Sequence, residues 1–330
     1  MRTIGITTTV PIEVLLAAGY LPVDLNNLFI SAPDKDRLVG LAERAGFPQN
    51  LCTWIKGIYG AVLDRGIDTV LGVTTGDCSN TTMLLEVLRL KGVNTIPFAF
   101  PDRPNIEGMH HALELLAGTV GTNLTAAEEV RLEMAESRRL ALELDERTWW
   151  EGTVSGFENH LWLVSTSDFN GQAERYSAEL RALLAEADNR VQSPNEMLRL
   201  AFVGVPPIFA EDFYTFLEQN GARVVFNEVQ RQFAMPEGGE SLAEQYSYYT
   251  YPYSFSERLR DILPELRRRR VDGVVHYVQA FCHRGIGDII LRHAVKLPIL
   301  TLEGNSDYHL SHHTRTRIEA FLDMMRRFHN

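Results

Sequence analysis

IDTVLGVTTGDC at residues 67–78 and VDGVVHYVQAFC at residues 271–282 align without a gap. In each, an Asp (Asp68, Asp272) precedes a β-branched apolar run, and a cysteine (Cys78, Cys282) falls ten residues after it. Runs of this density suit strands buried on both faces, as in a parallel sheet. A helical pattern follows both cysteines, SNTTMLLEVLRLKG in one place and HRGIGDIILRHAVK in the other. Each then meets a proline-bearing apolar run, VNTIPFAF or LPILTLEG. Strand, loop, helix, strand is the βαβ unit, and the chain contains it twice.

The repeat extends upstream. TIGITTTVPIEVLLAAGYLPVDL (3–25) has the layout of RLAFVGVPPIFAEDFYTFLEQNGARVVF (199–226): a short strand, a proline near a helix start, an amphipathic helix, a glycine stop at Gly19 or Gly221, and a new strand. The expected fold class is therefore α/β, with two similar doubly wound parallel-sheet domains produced by internal duplication. Between them the texture changes. TNLTAAEEVRLEMAESRRLALELDERTWWEG opens with Thr125 and Glu128 at capping-box spacing, and SDFNGQAERYSAELRALLAEADNR keeps helical period. The expected domains are 1–122, carrying Cys52 and Cys78, a helical connector over 123–196, and 197–330, carrying Cys282. The stretch AMPEGGESLAEQYSYYTYPYS (234–254) reads as a loop and an aromatic segment, either packed by its own tyrosines or touching substrate.

Composition bounds the partners. With 45% hydrophobic and 23% charged residues, the 330-residue chain has a globular profile. Its 32 basic against 43 acidic residues give a net charge of −11, which disfavours binding to nucleic-acid phosphates. The run RRRR at 267–270 reads as a solvated helix C-terminus, where cations meet the negative end of the dipole. No apolar stretch approaches the ~18 residues of a membrane span, and the N-terminus lacks a signal-peptide pattern. Three widely spaced cysteines make no disulfide framework, so the cytoplasm is the expected compartment.

Cys78 and Cys282 each follow a strand's carboxyl end, the edge where open α/β sheets bind ligands. Cys52, in FPQNLCTWIKGIYGAVLDRG, falls in the first turn of a helix capped by Asn50 and stopped by Gly66. All three thiols thus sit where helix N-termini favour an anion and lower a thiol's pKa. Their spacing lacks the tight pairs of a structural zinc site. Two readings stand: an iron–sulfur cluster held by three cysteines, or three unrelated cysteines acting as small hydrophobes.

Several segments together resemble the family of 2-hydroxyacyl-CoA dehydratase and benzoyl-CoA reductase subunits. They are TTTVPIEVLLAAGYLPV (7–23), LCTWIKG (51–57), TTGDCSN (74–80), VDGVVHYVQAFC (271–282) and LPILTLEGNSDYHLSHHTRTRIEAFLDMM (297–325). The resemblance implies two α/β domains and a [4Fe–4S] cluster ligated by Cys52, Cys78 and Cys282, with its fourth position open. It also implies radical dehydration of an acyl-CoA thioester, driven by one recycled electron from a separate ATP-hydrolysing activator. A homodimer, or a heterodimer with a related subunit, goes with it. Glu13, at the first helix start, and His283, beside Cys282, are the candidate catalytic residues, as acid or orienting group and as proton carrier. The alternatives are a reductase of a small molecule or aromatic acyl-CoA with a cluster of double-cubane form, and a non-catalytic cluster carrier. No P-loop or dinucleotide motif follows a strand, so the expected electron source is another protein.

Overall fold

The computed structural model describes residues 2–193, 196–305 and 307–329. Two four-stranded sheets, each wholly parallel and flanked by helices, carry the fold. The first contains β1 (Arg2–Ile6), β2 (Tyr20–Asp24), β3 (Thr69–Thr75) and β4 (Asn94–Ala99), in the order β2-β1-β3-β4. The second contains β5 (Leu198–Gly204), β6 (Ala222–Asn227), β7 (Gly273–Gln279) and β8 (Ile299–Gly304), in the equivalent order β6-β5-β7-β8. The duplicated α/β architecture implied by the sequence is what the chain adopts.

The β-branched runs are buried as parallel strands should be. Every residue of β6 and of β7 is buried. Along β5, Leu200 and Phe202 enter one apolar cluster while Ala201 and Val203 enter another, so helices cover both faces of this sheet. The two middle strands of each sheet, β1 with β3 and β5 with β7, carry chain connections that leave in opposite directions. Their carboxyl ends form the topological switch point, where such sheets leave a crevice.

The chain divides into two compact units, each discontinuous in sequence. The first comprises Met1–Arg138, Ser165–Ser177 and Met235–Ser254; the second comprises Arg139–Val164, Ala178–Ala234 and Phe255–Asn330. The helical segment after residue 123 is thus shared between them, and the aromatic stretch near residue 250 belongs with the N-terminal sheet.

Local capping differs from the sequence reading in instructive ways. The helix Leu124–Glu146 is capped by Asn123, whose Oδ1 accepts from Ala126 N at 3.0 Å, not by Thr125. Glu128, the supposed box partner, instead accepts from Leu242 N at 2.6 Å. The helix Thr53–Arg65 begins after Cys52, two residues later than an Asn50 cap would set it, and ends at Gly66 in the left-handed region. It crosses its neighbour Lys35–Arg44 closely: a Cβ at Gly60 would lie 2.2 Å from the Leu38 carbonyl oxygen. Only glycine fits there.

The RRRR run is a solvated helix C-terminus at Arg267, Arg268 and Arg270, but not at Arg269. Arg267 and Arg268 close the helix Phe255–Arg268, but Arg269 is fully buried in the second unit. Its Nη1 donates to Asp145 Oδ1 at 2.8 Å and to the Val225 carbonyl at 2.7 Å, while its Nε donates to Glu265 Oε2 at 2.6 Å. The adjacent guanidiniums hold Asp145 below the usual carboxylate range in spite of its burial.

Candidate functional site

The carboxyl edge of the first sheet carries Cys78, two residues beyond the glycine that ends the β3 turn. Gly76 has φ +104°, and a Cβ there would meet Pro252 Cβ at 2.8 Å and Phe100 Cβ at 3.1 Å. The turn is therefore closed down against the aromatic segment, and Cys78 leaves it toward the helix Thr81–Leu90. The carbonyl of Cys78 accepts from Thr81 N at 3.1 Å. Asp77, between the glycine and the cysteine, accepts a hydrogen bond from Tyr251 Oη at 3.0 Å. That bond fixes the turn from outside its own strand.

Cys52 reaches the same edge by another route. A helix leading into a parallel strand begins at the carboxyl edge of the sheet, and Thr53–Arg65 leads into β3. Cys52 is its N-cap residue, buried, and its side chain makes no capping bond. One turn on, the buried Lys56 ammonium donates to Glu43 Oε1 at 2.8 Å and to the Gln49 carbonyl at 3.0 Å, tying down the loop that carries Cys52. Cys52 and Cys78 pack against one apolar cluster built from Ile55, Tyr59, Leu84 and Leu88 among others. The structure thus brings two of the three cysteines onto a single core surface of the first unit.

Cys282 holds the equivalent place in the second unit. It follows β7 and is the N-cap of the short helix His283–Ile286, and Gly285 N donates to its carbonyl at 3.1 Å. Phe281, before it, adopts φ +62° and is 58% exposed. A non-glycine residue held in the left-handed region beside a candidate site is strain of the kind that accompanies function. His283 is solvent-exposed. None of the three cysteines is in a disulfide.

Glu13 lies inside the first unit. It is 0% exposed, and donors occupy both of its oxygens. Oε1 accepts from Arg138 Nη2 at 2.7 Å and Gln245 Nε2 at 2.9 Å, and Oε2 accepts from Tyr246 Oη at 2.7 Å. Tyr246 Oη also lies 2.8 Å from the Val10 carbonyl. Burial and the Glu13 charge push the Tyr246 phenol well above its usual range, so it stays a donor. Burial opposes the charge on Arg138, but the Glu13 carboxylate outweighs it and raises the Arg138 pKa. Glu13 is thus the acceptor around which Arg138, Gln245 and Tyr246 are ordered, the arrangement of an orienting group.

Tyr246, Gln245, Arg138 and Tyr251 are what the sequence reading missed at this edge. The segment Met235–Ser254 runs across the first unit as a strap: Tyr246, Tyr249, Tyr251 and Tyr253 are buried, with Tyr246 anchored at Glu13 and Tyr251 at Asp77. The tyrosine-rich composition was the available signal.

Among the described residues, no group of three or more His, Cys, Asp or Glu side chains is arranged to hold a metal ion. A cubane is wider than a single ion and spaces its thiolates further apart, so the donor set is better judged by its chemistry. Three thiols at three helix starts match thiolate ligation. Three donors close in sequence to this edge, Thr9 Oγ1, Trp54 Nε1 and Thr81 Oγ1, are buried without a protein partner. Such orphans suit a neighbour rich in acceptors, as cluster sulfides are. The residues present fit the group.

No curated protein matches the chain. The family model for 2-hydroxyglutaryl-CoA dehydratase, D-component, matches residues 7–325, a span that includes all three cysteines, Glu13 and the tyrosine strap. With nearly the whole chain covered, this protein belongs to the 2-hydroxyglutaryl-CoA dehydratase D-component family.

Proposed function

We propose that this chain is the iron–sulfur subunit of a 2-hydroxyacyl-CoA dehydratase-like enzyme, a lyase, with Cys52, Cys78 and Cys282 as ligands of one [4Fe–4S] cluster. The observation that carries the reading is the family match across both sheets, together with a thiol at the carboxyl edge of each. A cluster held by these three cysteines would supply one-electron chemistry.

The chain's own residues prepare that position. Helix N-termini favour the thiolate form of each cysteine. Lys56 and the Tyr251–Asp77 hydrogen bond fix the Cys52 and Cys78 loops, while the Glu13–Arg138–Tyr246 group locks the strap over the first unit. His283, exposed and next to Cys282, is placed to carry a proton to the departing hydroxyl. In the overall reaction a C–OH bond at C2 and a C–H bond at C3 break, water leaves and a C=C bond forms. No net oxidation occurs, so the electron returns. It is supplied by an ATP-dependent activator protein, and the subunit works in the cytoplasm, paired with itself or with a related subunit.

Anaerobic purification followed by iron and acid-labile sulfide analysis tests the cofactor. About four irons per chain are expected, and single Cys52→Ser, Cys78→Ser or Cys282→Ser substitutions should each lower that content. An iron-free protein that takes up only zinc would sink the reading. Water loss from a 2-hydroxyacyl-CoA, dependent on ATP and an activator, tests the reaction. Reduction of an aromatic acyl-CoA in its place would assign the chain to the reductases.

A further inference from the structure

In the first unit, the helix Thr81–Leu90 buries a single stripe: Thr81, Leu84, Leu85 and Leu88, at i, i+3, i+4 and i+7. The three leucines belong to the apolar cluster that contains Cys52 and against which Cys78 packs. Thr81 heads the stripe, three residues after Cys78, and its N–H donates to the Cys78 carbonyl at 3.1 Å. A hydroxyl therefore stands at the cysteine end of an otherwise leucine-lined face.

The fold gives that hydroxyl nothing to do. Thr81 is 0% exposed, and its Oγ1 finds no hydrogen-bond partner among the described residues. Other threonines of this edge are occupied: Thr7 Oγ1 accepts from Val73 N at 3.2 Å, and Thr74 Oγ1 donates to the Phe98 carbonyl at 3.2 Å. Threonines further along helical segments donate to the carbonyl one turn back, Thr119 to Leu115 at 2.7 Å and Thr148 to Leu144 at 3.0 Å. Thr81 is the first residue of its helix, with no helical turn behind it. A buried hydroxyl without a partner is a cost to the fold, and valine, of nearly the same shape, would carry none of it.

We propose that the Thr81 hydroxyl is a hydrogen-bond donor to the sulfurs of the [4Fe–4S] cluster and raises its reduction potential. This rests on the cluster reading above and adds a group which that reading does not use. Reduction places one more negative charge on the iron–sulfur group, and donors to its sulfurs stabilise that charge. In apolar surroundings such a bond is stronger than in water. Leu84, Leu85 and Leu88 supply those surroundings, and their side chains carry no acceptor to compete for the hydroxyl. Thr81 is thus a tuning residue and takes no part in bond making or breaking.

Redox titration of the anaerobically purified full chain tests this without turnover, with electron paramagnetic resonance reading the reduced cluster and iron analysis on the same samples. Thr81→Val and Thr81→Ala both remove the hydroxyl but differ in volume, whereas Thr81→Ser keeps it. The Val and Ala variants should hold wild-type iron and lower the equilibrium constant for reduction about tenfold, ~59 mV for one electron. The Ser variant should stay within about twofold of wild type. Wild-type potentials in the Val and Ala variants would show the hydroxyl inert and overturn the assignment. A Ser variant that shifts with them overturns it too, because shape and not the hydroxyl would then set the potential. Failure of both the Val and Ala variants to fold, checked by circular dichroism, would give Thr81 a structural duty and end the proposal as well. Wild-type protein without iron brings down the cluster reading itself, a result distinct from an iron-loaded protein indifferent to Thr81.

Discussion

Replacing Glu13 separates a structural carboxylate from a catalytic one. Glu13→Ala removes the acceptor shared by Arg138, Gln245 and Tyr246 and takes the Glu13 carboxylate from the buried Arg138 guanidinium. Breaking a buried pair from one side costs about 3–5 kcal/mol, a large fraction of a typical domain's stability. Glu13→Gln keeps the shape but loses the charge, and it presents Tyr246 Oη or Arg138 with an amide N–H; a cost of about 2–3 kcal/mol follows. Tyr246→Phe strips the hydroxyl from both Glu13 and the Val10 carbonyl, for about 1–3 kcal/mol. The three groups share one network, so the double variant Glu13→Gln/Tyr246→Phe should cost less than the sum of its parts. Urea unfolding followed by tyrosine fluorescence and far-UV circular dichroism reads these values, with the first unit expected to melt earlier in every variant. An unchanged unfolding curve in Glu13→Ala, together with lost turnover, would refute the orienting role and make Glu13 a reacting group.

Asp24 and Asp168 form a buried carboxyl pair in the first unit, Asp24 N donating to Asp168 Oδ2 at 2.7 Å. Burial and the Asp24 charge push the Asp168 carboxyl up to about 7. A carboxyl raised in the fold stabilises below its unfolded value, and that contribution is lost as pH rises through the folded one. Chemical-denaturation stability should therefore decline between the ordinary carboxylate value of 3.8 and about 7, and Asp168→Asn should flatten the decline. Arg269→Ala leaves Asp145 buried beside a more distant Arg231 and should cost about 3–5 kcal/mol in the second unit, read by thermal unfolding; a loss below about 1 kcal/mol would show that the site rehydrates. Phe281→Gly relieves a left-handed non-glycine residue and should raise stability by up to about 1 kcal/mol while changing cluster content or turnover. Stabilisation with no functional change would remove Phe281 from the site.

The parts of the fold that could be read from sequence are those encoded locally. The Asp68-to-Cys78 and Asp272-to-Cys282 runs are near-continuously apolar and then stop, as buried parallel strands do, and both proved to be inner strands of matching sheets. Parallel order needs only long right-handed crossovers, and the helical patterns between strands supplied them. What escaped was long-range. Glu128 has capping-box spacing, but a backbone N–H at Leu242, distant in sequence, claims its carboxylate. Arg269 looks like one of four solvated cations, and only the fold supplies Asp145 to bury it. Glu13 looks like a helix-start acid until Gln245 and Tyr246 arrive from a remote segment. In each case the side chain's partner lies more than a hundred residues away, beyond the reach of any periodicity.

The interleaving of the two units has a consequence for synthesis on the ribosome. Residues 1–138 contain the whole first sheet, but the strap that satisfies Glu13 and covers Asp77 ends at Ser254. The first sheet therefore leaves the exit tunnel well before the segment that completes it, and must wait with a charged pair and an apolar edge uncovered. Tandem domains of simple duplication finish one after the other; here the first unit cannot finish until two segments of the second have been made. A nascent chain of this kind should gain from chaperone protection until Ser254 emerges, and a fragment cut within the helical segment should aggregate rather than fold.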